Sequence, residues 1–71
     1  MDEFQQTLIN DFNQALQDNS VLETVAKYQA GVWRDSLGIV RYFVPHQGKL
    51  YYLIQTNEQS FLVEKVFCHG R

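Results

Sequence analysis

Hydrophobic side chains near the start of the chain recur at the spacing of a helix. Phe4, Leu8, Ile9, Phe12, Ala15 and Leu16 fall within about 140° of arc at 100° per residue. The positions between them, running from Gln5 to Asp18, are polar. The pattern predicts an amphipathic helix over 3–18. Asp2 can cap its start, Gln5 stands three residues later, and the early acids suit the positive end of the helix dipole. The stripe fails across Asp18-Asn19-Ser20, because a continued helix would turn Val21 and Val25 away from the face of Phe4 and Phe12. Ser20 with Glu23 repeats the capping-box spacing and predicts a second, shorter helix over 21–29. Val21-Leu22 and Thr24-Val25 would also suit a strand.

After Gly31 the period changes to two. Val32-Trp33-Arg34 reads as a short strand and Asp35-Ser36-Leu37-Gly38 as a turn. Strands follow at Ile39–Val44, Lys49–Thr56 and Ser60–Phe67. Pro45-His46-Gln47-Gly48 suits a hairpin loop in which a type I turn precedes a left-handed Gly48, and Asn57-Glu58 can turn the next hairpin. The expected fold is α+β: an N-terminal amphipathic helix plus a short second helix packed on a three- to four-stranded antiparallel β-meander. It forms a single small domain over 1–71, helical over 3–29 and a β-meander over 31–67.

Loop lengths decide which side chains share a face of the sheet. A three-residue His46-Gln47-Gly48 loop pairs Val44 with Leu50, and a two-residue Asn57-Glu58 loop pairs Thr56 with Gln59. The helix-covered face is then expected to hold Val40, Tyr42, Val44, Leu50, Tyr52, Ile54, Phe61, Val63 and Phe67, with Lys65 its one charge. The opposite face would carry Ile39, Arg41, Phe43, Tyr51, Leu53, Leu62, Glu64 and Val66, together with Gln55 and Ser60. A solvated sheet face should be mostly polar, and this one is not. Left uncovered it would expose several hundred Å² of apolar surface, near the limit for a soluble monomer. One long helix cannot shelter both sides, so either the second helix and the Trp33 strand fold over this face or another chain does.

The 71 residues are 45% hydrophobic with one Pro, which excludes a disordered tail or a Pro-rich linker. No apolar run approaches the roughly 20 residues that span a bilayer. Met1-Asp2-Glu3-Phe4 is acidic where a leader would be basic, and the lone Cys68 suits a reducing compartment; both point to the cytoplasm. The net charge of −2 is far from that of a dedicated nucleic-acid binder. It divides unevenly: residues 1–26 hold five acids and no Lys or Arg, while 27–71 hold six cations against three acids. The two halves can attract each other within the fold or offer two unlike surfaces to partners.

Little in the chain suggests reaction chemistry. Cys68 and His69 are adjacent in a strand direction and so point to opposite faces. His46 could complete a Cys/His pair only where its loop meets the tail. Metal-ligand spacings of the C-x-x-C or H-x-x-x-H kind are absent from the sequence, as is a Gly-rich phosphate cradle. Trp33, Tyr42, Phe43, Tyr51 and Tyr52, interleaved with Arg34, Arg41 and Lys49, could stack bases, though sheets also favour aromatics for packing.

The span Ile39–Arg71 resembles the C-terminal strands of RelE/ParE-type toxins. The likeness lies in Tyr42-Phe43, Leu50-Tyr51-Tyr52-Leu53, Val63–Phe67 and the terminal Cys68-His69-Gly70-Arg71. It covers fewer than half the residues, and its sharpest element is His69-Gly70-Arg71. The resemblance implies helices on an antiparallel sheet and an action on RNA or a nucleic-acid enzyme, with Arg41, Lys65, Arg71 and the tyrosines standing in for the promoting groups. The chain departs from such toxins in its shortness, its cation-poor helical half and its negative charge.

The function expected first is a small non-catalytic protein-interaction or regulatory module. It would self-associate, as a homodimer, or bind another protein through the apolar outer face of the sheet. No cofactor, metal or membrane is expected, and nucleic acid is the less favoured partner. The toxin-like reading is the alternative, and an inhibitor using the cation-free back of the first helix ranks below it.

Overall fold

Asp2 begins the structure in the role its position suggests: its Oδ1 accepts a 2.6 Å hydrogen bond from the Gln5 backbone N–H. The computed structural model describes residues 2–56 and 60–68. Helix α1 (Glu3–Asp18) is followed by α2 (Val21–Tyr28), β1 (Gly31–Arg34), β2 (Val40–His46), β3 (Lys49–Gln55) and β4 (Phe61–Cys68). The strands form one antiparallel sheet in the order β1-β2-β3-β4, so the α+β meander expected from the sequence is the architecture observed. Among the described residues, no helix is long and apolar enough to cross a membrane.

Both helices end through a left-handed residue. Asn19 has φ 55° and Gln29 φ 54°, and the amides of Ser20 and Ala30 then reach back to the carbonyls of Ala15 and Val25. This ends α2 at Tyr28, one residue short of the expected boundary. Ser20 does not form the capping box predicted for it. Its side chain makes no capping bond, and its carbonyl instead takes bonds from the backbone N–H and hydroxyl of Thr24.

The stripe of α1 supplies Leu8, Phe12 and Ala15 to the core, against Val44, Tyr51, Leu53 and Phe61 from the sheet. Phe12 is the hub: its ring lies 5.2 Å from Phe61, 5.7 Å from Tyr42 and 6.0 Å from Tyr28. Polar ties fix the same layer. The Tyr51 hydroxyl donates to Asp2 Oδ2 at 3.0 Å, and the Tyr28 hydroxyl donates to Asp11, which also pairs with Lys27 at 3.5 Å. Asn13 Oδ1 accepts from the Phe61 backbone N–H at 2.6 Å, so α1 caps a donor on the open edge of β4. That capped edge donor is one that a neighbouring chain could otherwise use.

The sheet register differs from the sequence expectation by one residue, and the β2–β3 turn is the reason. Gln47 and Gly48 both lie in the left-handed region, at φ 50° and 76°. Two such residues make a two-residue hairpin turn whose twist matches that of the strands. His46 and Pro45 therefore belong to β2, and His46 pairs with Lys49, Val44 with Tyr51 and Tyr42 with Leu53. Strand β1 begins opposite Phe43, so Pro45 lies where β2 has lost that neighbour, a position that tolerates a residue without an N–H.

The shift turns β3 over. Tyr51 and Leu53 point into the core, while Leu50, Tyr52 and Ile54, expected beneath the helix, face out. The next hairpin closes with the Thr56 N–H donating to the Ser60 carbonyl at 2.7 Å, in place of a Thr56–Gln59 pair. The Asn57-Glu58 turn itself lies outside the described residues.

The one-residue shift of that hairpin cancels the offset at the start of β4, and a bulge then reverses the rest of the strand. Leu53 pairs with Val63 but Tyr52 pairs with Lys65, leaving Glu64 as the extra residue of a bulge. Phe61 and Val63 face the helices before the bulge, as expected. After it Val66 turns inward and Phe67 outward, the reverse of the expected alternation.

Candidate functional site: the outer face of the sheet

Directly paired residues of an antiparallel sheet project to the same side. Trp33 pairs with Arg41, Arg41 with Ile54, and Ile54 with Leu62, which lays one row across all four strands. A second row runs from Phe43 to Tyr52 and Lys65, and a third joins Pro45, Leu50 and Phe67. The core residues occupy the other side, so this is the face that α1 and α2 do not cover. Trp33 is 58% exposed, and Leu62 and Phe67 are each 43% exposed.

Aromatic contacts order the face. The rings of Phe43 and Tyr52 are 4.6 Å apart, those of Tyr52 and Phe67 5.0 Å, and the Lys65 ammonium sits 5.1 Å over Phe67. Gly31 stands opposite Phe43, where an added Cβ would lie 3.6 Å from the ring. Phe43 thus lies against bare backbone on β1 and extends the aromatic run to the sheet's short edge.

Arg41 divides the surface. Its Nε contacts Glu64 Oε1 at 3.0 Å, reaching from β2 over β3 to β4, and its Nη1 contacts Asp35 Oδ2 at 3.0 Å. Asp35 is held by the turn as well, accepting from the amides of Leu37 at 2.8 Å and Ile39 at 3.0 Å. The Ile39 amide first, and then the Arg41 guanidinium and the Leu37 amide, keep the Asp35 carboxyl below its ordinary 3.8. Arg41 does the same for Glu64, ordinarily 4.5. The two carboxylates in turn raise the pKa of Arg41.

A carboxyl whose pKa is depressed by folding lends stability above its unfolded value and loses it as pH falls through the folded value. The melting temperature is therefore expected to be sustained above pH 4.5 and to drop as pH passes below 3.8. Thermal melts of Asp35→Asn should show a shallower acid drop than the parent chain. An equally steep drop would remove Asp35 from this account.

The residues expected to form this face separate into two groups. Arg41, Phe43, Leu62 and Glu64 lie on it, and Ile39 precedes β2 at its margin, 38% exposed. Tyr51 and Leu53 are instead core residues, and Val66 is half-buried against the core; the hairpin turn and the bulge account for all three. The face gains Trp33, Leu50, Tyr52, Ile54 and Phe67 in their place. The signals that could have found them were Gln47-Gly48 as a two-residue turn and the consecutive charges Glu64-Lys65 as a bulge.

Other places with chemistry-bearing groups are less organised. An open cleft of about 340 Å³ lies between the start of α1 and the β2–β3 hairpin, lined by Asp2, Phe4, His46, Lys49 and Tyr51. There the His46 ring is stacked 3.6 Å from Phe4, and the Asp2 carboxylate is occupied by Tyr51 and the Gln5 amide. His46 and Cys68 share a cross-strand row, with Lys49 between them. Among the described residues, no three His, Cys, Asp or Glu side chains gather where one metal ion could hold them. His69, Gly70 and Arg71, the sharpest part of the toxin likeness, lie outside the described residues. No family model, curated protein or solved structure matches the chain.

Proposed function

We propose that the protein is a small interaction or regulatory module, without catalytic chemistry of its own, that docks through the outer face of its sheet onto another protein surface or a second copy of itself. The observation that supports this is the position of both helices on one side of a sheet whose other side carries Trp33, Phe43, Tyr52, Leu62 and Phe67. At about 25 cal/mol per Å², covering several hundred Å² of apolar surface is worth several kcal/mol. That is a large sum for a chain of this size. Binding a partner recovers it.

The toxin-like alternative needs cations free to meet phosphate. Arg41 is bracketed by Asp35 and Glu64 at 3.0 Å each, which favours the docking reading. Growth arrest on expression, relieved by Arg41→Ala, would reverse that preference.

Apolar-dye binding by the dilute protein tests the proposal. The double variant Phe43→Ser, Leu62→Ser should keep its helical circular dichroism and lose most of the dye fluorescence. Equal fluorescence from parent and variant would show that the face is not an accessible docking surface.

A further inference from the structure

We infer that the occupant of the outer face is a second copy of this chain, packed face to face to form a two-sheet sandwich with helices on both outsides. The inference rests on the docking reading above and goes beyond it by naming the partner.

Charge is the first argument. Arg41 and Lys65 on or beside the face are balanced by Asp35 and Glu64, and Arg41 is already paired within its own subunit. A two-fold axis brings a surface against itself, so a face of one sign would repel its copy. A face neutralised internally does not. The same neutrality gives no electrostatic steering toward a nucleic acid or a strongly charged protein.

Area is the second argument. Strands of 4, 7, 7 and 8 residues, at about 3.3 Å per residue and about 4.8 Å apart, give a footprint of roughly 410 Å². Side chains standing off that plane make the accessible surface larger, so a pair would bury upwards of about 800 Å², more than most lattice contacts and approaching the specific range that starts at about 1,200 Å². Sheets packed this way lie about 10 Å apart with strands near −30°, an arrangement compatible with a two-fold axis.

The edges are poorer routes to a dimer. On β4, Asn13 occupies the Phe61 N–H, and the bulge at Glu64 breaks the regular ladder. Strand β1 offers only Gly31–Arg34.

Sedimentation velocity on the full chain, from low to high micromolar concentration, decides the matter. The expected result is a reversible shift from 8.3 kDa to twice that mass, with a matching blue shift of emission from Trp33, the single tryptophan. Leu62→Glu and Trp33→Glu, at the two ends of the row across the sheet, should each weaken the dimer at least ~30-fold, because each puts an unpaired carboxylate into an apolar contact, with thermal melts verifying that the subunit remains folded. A monomer at every concentration overturns the inference, as does a dimer indifferent to both variants. If that monomer still binds another protein in a Leu62-dependent way, the docking reading survives without the second copy. If Leu62→Glu alters no binding, both fall.

Discussion

Phe12→Ala is expected to remove about half of the stability of the fold. Phe12 is fully buried, and its ring touches the aromatic cluster of Tyr28, Tyr42 and Phe61, which joins both helices to the sheet. Removing a buried phenyl ring costs about 3–5 kcal/mol, part lost transfer and part cavity. At roughly 0.05–0.15 kcal/mol per residue, a domain this small has about 4–10 kcal/mol in total. Urea titration followed by circular dichroism should show the midpoint falling to about half that of the parent chain or lower. A loss below about 1 kcal/mol, the level of a surface change, would mean that α1 is not seated through Phe12.

The second large effect distinguishes two neighbours. Leu53→Ser should destabilise the fold severely, while Ile54→Ser should leave it cooperative. Leu53 is fully buried on the helix side of β3. Serine there forfeits the packing of the leucine and adds a hydroxyl to an apolar core, together worth about 3–5 kcal/mol. Ile54 is half-buried on the outer face, between Arg41 and Leu62. Its loss should cost about 1 kcal/mol or slightly more, since water can reach the serine. Parallel urea titrations of the two variants measure the contrast. The reverse order of stabilities would restore the three-residue hairpin loop and invert β3.

That contrast marks where sequence reasoning stopped. The helices were legible because Phe4, Leu8 and Phe12 recur at helical spacing over a polar background, and because Asp2 can cap only one start. The strands were legible from alternation and turn residues. Register was not, since Leu50-Tyr51-Tyr52-Leu53-Ile54 is apolar at both parities. A strand of that kind satisfies the core whichever way it faces, so the pattern cannot choose between a two- and a three-residue turn. Only the backbone of Gln47 and Gly48 decides. By the same reasoning, a greasy second face follows from either register, while its membership depends on the turn and on the Glu64 bulge.

The meander order has a consequence for how the molecule assembles during synthesis. Each strand pairs with the one made just before it, so hairpins can close in turn as the chain emerges from the ribosome. Helix α1, made first, is in a different position. Its Asn13 and Phe12 meet Phe61 of the last strand, across 48 residues in the case of Asn13. The α1 segment must therefore keep its apolar stripe waiting until β4 is released, and this domain commits to its native state only once β4 has been made.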